Sequence, residues 1–386
     1  MASPLSSSSL SHGTLGKGIR DQFDWPLFVT VCAIALIGVT NLYSATSAPL
    51  ASHRGFGNLY VQQIYWLALG AGVAVLIAAI DYRHYERFAW FAYGAGVVLL
   101  ILVFLLAPEV RGSQRWIRIG SFSLQPSETM KILLIVAMAK HLHNDPKTEG
   151  RTLKDLVVPG LILAAPMFLI LRQPDLGTAL LCAFIFTSIM MLTNLARRSI
   201  VTLLGGFAVS ALPIWVFGLE NYQRHRFLSY WDLMTNENPD ILDDGWHTYQ
   251  STVAIGNGGW LGEGFMAGSQ NQHNFLPDQH TDFPFPVFAE EHGFLGVMLL
   301  LGLYAFLILW GLRIAYTAKD RFGAVIAVGV SAFFFWHTAI NIGMVSGLLP
   351  VVGVTLPLFS YGGSSVLTSM MGIGLLMNVS IRRFSF

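Results

Sequence analysis

Charge is what this sequence has least of. Only 12% of its 386 residues are Asp, Glu, Lys or Arg, while 54% are hydrophobic; an ordinary soluble chain carries about twice that charged fraction. A water-soluble globule is therefore excluded, because the apolar residues arrive in blocks of about twenty, the length at which a helix crosses a bilayer. Cysteine is scarce too. Cys32 and Cys182 both sit in apolar runs, where they read as small buried hydrophobes, which rules out a disulfide framework or thiolate cage. The glycine-dense run 255–265 lacks the Gly-Lys-Ser/Thr of a phosphate-binding loop, so no ATP is burned. Histidines at metal-ligand spacing are missing: His141 and His143 face different ways on a helix. No repeat of fixed period is present, which weakens a transporter built from duplicated halves. A net charge of +1 gives no reason to expect a nucleic-acid partner. Whatever reaction occurs draws its energy from the substrate or a gradient.

The apolar blocks read as ten spans, at 26–45, 61–80, 88–107, 125–142, 156–171, 177–194, 199–218, 284–312, 323–346 and 356–380. The fifth and sixth are split by a very tight turn, Arg172-Gln173-Pro174-Asp175. The first is too long for the apolar core of a signal peptide and reads as an uncleaved span. Residues 1–24 read as a disordered cytoplasmic tail, and 25–386 as a single transmembrane domain. Of the 23 Lys and Arg, 15 fall on one side and seven on the other, with Lys131 inside a span. The positive-inside rule then places both termini in the cytoplasm. The fold class is an all-α polytopic membrane protein with one long extracytoplasmic loop, 219–283, between spans 7 and 8. That loop is acidic and carries Trp231, Trp246 and Trp260, and loops of such length tend to be functional.

Where this loop meets the eighth span stands Asp282, followed by Pro284 and Pro286. It reads either as a carboxylate stabilised at a helix start or as a general base at the outer membrane face. Glu290 and Glu291 lie a turn or two deeper, where ionisable groups are expensive and face a cavity or a partner. A structural ion pair and a catalytic role stay equally open for them. Pro126 suits the first position of the fourth span. Glu128 and Lys131 are three apart on one face of it and can pair, as a structural clip or the floor of a polar cavity. Arg111, Arg115, Trp116 and Arg118 precede them on the outer side, against the charge bias. They suit either headgroup snorkelling or pyrophosphate recognition. Asp175 reads as the cap of the sixth span. Ser360, Tyr361, Gly362 and Gly363 enter the last span with small residues, which suits close helix packing or a broken helix beside a cavity.

Taken in order, six segments resemble the SEDS family, the bacterial membrane glycosyltransferases of shape, elongation, division and sporulation. They are Gly112-Ser113-Gln114-Arg115-Trp116-Ile117, Gln125-Pro126-Ser127-Glu128 with Lys131, Gln173-Pro174-Asp175-Leu176-Gly177-Thr178, 276–283, Glu290-Glu291-His292-Gly293, and Ser360-Tyr361-Gly362-Gly363-Ser364. Their Gln-Pro-Asp and His-Thr-Asp-Phe forms are similar to the elongation branch. Pro284 and Pro286 depart from the family pattern. The resemblance implies ten transmembrane helices in the bacterial inner membrane. It also implies polymerisation of lipid II into β-1,4 glycan strands at the outer face, with a class B penicillin-binding protein as partner. The family's essential aspartate falls on Asp282, its fourth-span acid and lysine on Glu128 and Lys131, and its tryptophan on Trp116. The expected reaction has Asp282 take the proton of the lipid II GlcNAc 4-hydroxyl. That oxygen displaces undecaprenyl pyrophosphate from the growing strand, and Arg115, Arg118, Arg224 or a divalent cation (Mg or Mn) neutralises the leaving group. The rivals are a lipid II flippase and a non-catalytic scaffold for the penicillin-binding protein.

Overall fold

The computed structural model describes residues 23–47, 58–107, 115–119, 122–145, 147, 150–213, 221–235, 244–273 and 279–383. Their helices are α1 (Trp25–Ser47), α2 (Leu59–Ala79), α3 (Tyr82–Leu106), α4 (Pro126–Asn144), α5 (Val157–Arg172), α6 (Leu176–Met190), α7 (Arg197–Pro213), α8 (Asn221–Thr235), α9 (Asp244–Asn257), α10 (Ser269–Gln272), α11 (Pro284–Tyr316), α12 (Arg321–Val345) and α13 (Gly363–Arg382). A two-stranded antiparallel hairpin, β1 (Ile117–Ile119) and β2 (Phe122–Leu124), departs from the all-α expectation. The N-terminal tail to residue 22, Arg111 and several acids of the long loop lie outside the described residues.

Seven helical segments are long and apolar enough to cross a membrane: α1, α2, α3, α5 with its lead-in turn, α11, α12 and α13. Helices also stand at the other three expected spans, as α4, α6 and α7. In α2, α3 and α5 most of the surface is exposed, whereas α12 and α13 are largely enclosed, so the outer helices turn apolar side chains outward. Cys32 is on that outward surface, contrary to the expectation of burial, while Cys182 is buried. α4 is central, with Met130, Lys131, Leu134, Ile135, Ala137 and Met138 all at 0% exposure. It packs against α3, α5, α6, α12 and α13, so Glu128 and Lys131 face protein.

The eighth expected span is broken. Gly293 has φ 62 and ψ −164 inside α11, a conformation that only glycine adopts without strain. The break frees backbone groups that cannot be left unpaired in an apolar setting. Phe294 N–H donates to Gly259 O at 2.8 Å and Leu295 N–H to Trp260 O at 3.2 Å. The carbonyls they would have met in a continuous helix accept elsewhere: Glu290 O from Glu263 N–H at 2.9 Å, Glu291 O from Gly264 N–H at 3.1 Å. The glycine-dense run is thus the partner of the break, and a Cβ at Gly258 or Gly262 would overlap the α11 backbone.

The last span also differs from expectation. It begins at Gly363 rather than 356, and residues 346–362 are irregular apart from turns. Irregular backbone at membrane depth survives only inside protein, and this segment is gripped from several sides. Tyr304 Oη donates to Pro357 O at 2.7 Å, Tyr230 Oη to Leu348 O at 2.8 Å, and Arg226 to Val351 O at 3.4 Å. The long loop therefore holds helices, α8 to α10, and two side chains of α8 clasp the irregular segment.

Candidate functional site

Asp282 ends the turn that leads into α11 and is partly exposed. Its position is set by main-chain contacts. Asn341 of α12, itself fully buried, donates through Nδ2 to Asp282 O at 3.0 Å and to Val354 O at 2.6 Å. Asn41 of α1 donates to Pro284 O at 2.9 Å, so Pro284 at the first helical position is pinned as well. The carboxylate faces Gly353, where a Cβ would stand 3.5 Å from Asp282 Oδ2. Gly353 has φ +71, a backbone that favours glycine. One buried amide thereby couples the aspartate to the irregular segment opposite it.

Behind that segment lies a buried, polar bundle. Lys131 Nζ is 2.8 Å from Glu128 Oε1 and 2.8 Å from His337 Nε2; the expected pair on α4 is present, with Lys131 wholly buried and Glu128 nearly so. Glu128 Oε2 has no hydrogen-bond partner among the described residues. His337 Nδ1 is 3.0 Å from Thr355 O, and Thr355 Oγ1 is 2.8 Å from Ser365 Oγ. Asp175 accepts from Thr178 N–H at 3.3 Å and so caps α6. The same carboxylate accepts from Gln125 Nε2 at 2.9 Å and Ser127 Oγ at 3.3 Å, tying α6 to the start of α4.

The arginine-rich approach reaches this bundle from one edge. Arg115 Nε donates to Gln173 O at 2.9 Å, its second terminal nitrogen donates to Pro174 O, and its guanidinium lies 4.0 Å from Asp175. It braces the tight turn between α5 and α6 while remaining partly exposed. Trp116 is 37% exposed, so its ring is open to a ligand or to lipid. Arg118 belongs to β1, opposite Ser123, and its side chain lies outside the described residues. Arg224 is on α8, half-buried and away from the hairpin in sequence.

For Glu290 and Glu291 the sequence left an ion pair and a catalytic role equally open. Glu290 forms no salt bridge with a described residue. Glu290 Oε1 accepts from Ser269 Oγ at 3.1 Å and Gln270 N–H at 2.9 Å, and Glu291 Oε1 accepts from Ser44 Oγ of α1. Both are fully or almost fully buried. They fasten α10 and α1 to the broken helix through neutral donors. At the mouth of α13, Tyr361 Oη donates to Gln62 at 2.6 Å and Tyr361 N–H to His280 O at 2.9 Å. Gln63 Nε2 donates to Ser360 O at 3.0 Å, and Ser360 Oγ accepts from Leu356 N–H at 2.9 Å. Gly362 N–H donates to Gln63 Oε1 at 3.4 Å. A Cβ on Gly363 would overlap the Trp66 ring, which is the close packing that small residues permit.

Sequence reasoning missed Asn341 and His337. Both are polar, one turn apart on α12, and enclosed in a mostly apolar span that also buries Ser331 and Thr338; that spacing was the available signal. The described residues contain no cluster of three His, Cys, Asp or Glu that could cage a cation.

Comparison with known proteins gives this arrangement its context. The family model described as cell cycle protein, FtsW/RodA/SpoVE, matches residues 24–384. Peptidoglycan glycosyltransferase MrdB of Escherichia coli (strain K12) is 38% identical over 346 residues, covering 89% of this chain and 90% of that one. A chain from a structure described as a peptidoglycan synthase complex coordinating polymerization and crosslinking is 32% identical with a TM-score of 0.79, covering 94% and 99%. The rod shape determining protein RodA of Thermus thermophilus is 29% identical with a TM-score of 0.68, covering 94% and 98%. On the match across nearly its whole length, and on a fold shared with solved relatives, this chain belongs to the FtsW/RodA/SpoVE family.

Proposed function

We propose that the chain works as its relatives are named, as a peptidoglycan glycosyltransferase, and that Asp282 is its general base. The observation carrying this reading is the placement of Asp282: a partly exposed carboxylate whose backbone is pinned by buried Asn341 and whose side chain faces Gly353. A base must be held still yet reachable, and this one is both. Asp282 takes the proton of the lipid II GlcNAc 4-hydroxyl. The oxygen bonds to the anomeric carbon of the growing strand, and the electron pair of the breaking bond leaves with undecaprenyl pyrophosphate. Attack from the opposite face inverts the α linkage to β-1,4. Arg115 and Arg118 neutralise the leaving group, with Arg224 drawn in from α8. No step is routed through a metal.

The ten-span topology, with both termini cytoplasmic, belongs to the same reading. It is supported by the sidedness of the 23 Lys and Arg and by helices at each expected span. The protein sits in the inner membrane and serves cell elongation, as the His-Thr-Asp-Phe form and the likeness to a rod-shape protein favour. Its partner is a class B penicillin-binding protein, which the likeness to a synthase-complex chain supports. The test is to reconstitute the purified protein with its partner in vesicles containing labelled lipid II. Glycan strands on gels are expected, whereas translocation without polymer would replace the enzyme with a flippase.

A further inference from the structure

His337 takes no part in the reaction above, yet it touches both halves of the site. It is 1% exposed. Its Nε2 lies 2.8 Å from the Lys131 ammonium and its Nδ1 3.0 Å from the Thr355 carbonyl. An ammonium only donates and a carbonyl only accepts. One protonation state satisfies both neighbours: a neutral ring with its proton on Nδ1, donating to Thr355 O and accepting from Lys131 on Nε2. A charged ring would turn a proton toward the lysine, and the other neutral tautomer would oppose both contacts.

The consequence is geometric. Residues 353–355 are held by two side chains one turn apart on α12. Asn341 takes the Val354 carbonyl together with that of Asp282, and His337 takes the Thr355 carbonyl. Gly353, at the head of this stretch, faces the Asp282 carboxylate. His337 is also a second anchor for Lys131, whose other polar partner is Glu128 on its own helix, with the Phe333 ring centroid 5.3 Å away. Without the histidine, α4 would lose its polar hold on α12 at this level.

We propose that His337 is a positioning residue that fixes the buried Lys131 charge and, through Thr355, the backbone facing Asp282. The inference rests on the proposed reading of Asp282. Its test uses two substitutions that divide the ring's work. H337Q can present an acceptor near the Nε2 position and so keep Lys131. H337N can reach the Thr355 carbonyl but falls short of the lysine. With the full chain and its partner in lipid II vesicles, H337Q, which gives up the Thr355 carbonyl, is expected to lose roughly three- to tenfold in kcat, the size of one neutral hydrogen bond. H337N, which gives up the lysine, is expected to lose roughly ten- to a hundredfold, the size of one hydrogen bond to a charged group, each with KM little changed. Wild-type turnover in either variant would overturn the proposal. A second measurement stands apart from activity: thermal unfolding of K131M, H337N and the double variant. If the two side chains act as a unit, the double variant unfolds no lower than the worse single one; additive losses contradict the clamp. Absence of glycan strands from the wild type would count against the glycosyltransferase reading alone.

Discussion

Replacing Lys131 by Met keeps most of the side-chain volume and removes the one cation within ion-pair distance of Glu128 among the described residues. The pair is 2.8 Å apart, with Lys131 at 0% and the Glu128 side chain at 10% exposure. Glu128 Oε2 has no partner among the described residues to fall back on, so the variant strands a carboxylate in a buried site. Breaking a buried pair from one side costs about 3–5 kcal/mol. Removing both charges together, as E128Q/K131M, leaves lost hydrogen bonds of about 1 kcal/mol each and no orphaned charge. At roughly 2 °C per kcal/mol for a large chain, K131M is expected to unfold about 6–10 °C below wild type. The double variant should recover half of that or more. The assay is thermal unfolding of the purified protein in detergent, followed by intrinsic fluorescence. If K131M unfolds within about 2 °C of wild type, or the double variant lies below K131M, burial of the pair does not govern stability and the reasoning fails.

Three further outcomes follow from particular contacts. Gly293→Ala forces a side chain into φ 62 and onto the backbone of residues 261–262; a loss of about 3 kcal/mol or more is expected, visible as a lower unfolding temperature and reduced yield. Glu290→Ala removes the acceptor of Ser269 Oγ and Gln270 N–H and should cost about 1–3 kcal/mol, whereas Glu290→Gln, which keeps a carbonyl oxygen, should cost less than half as much. Asn341→Leu frees the Asp282 and Val354 carbonyls; lipid II turnover should fall at least about tenfold, and a wild-type rate would show that this amide does not position the base.

Much of the fold was legible because a bilayer leaves few choices: apolar blocks of spanning length must be helices. Local chemistry was legible too. Glu128 and Lys131 meet because residues three apart share a helix face, and Asp175 caps α6 because the turn before it is only a few residues long. Long-range pairing was not. The helix break at Gly293 depends on carbonyls and N–H groups of residues 259–264 that lie some thirty positions earlier, and periodicity carries no trace of such an exchange. For Glu290 and Glu291 burial demanded partners without naming them, and the donors found include hydroxyls of Ser44 and Ser269 and the Gln270 N–H, from positions that no local spacing singles out. Residues 356–362 are apolar enough for a span, yet Pro357 and the left-handed Leu358 keep them out of the helix. His337 stands 206 positions from the lysine it meets.

The central claim is that one carboxylate, fixed where α11 begins, takes the acceptor proton. Asp282→Asn keeps the shape and the backbone contacts while removing the base, so the rate of lipid II polymerisation by this variant, purified with its partner, tests the claim most directly. The account predicts a loss of about a hundred- to ten-thousandfold with the unfolding temperature unchanged; polymer formed at the wild-type rate would contradict it.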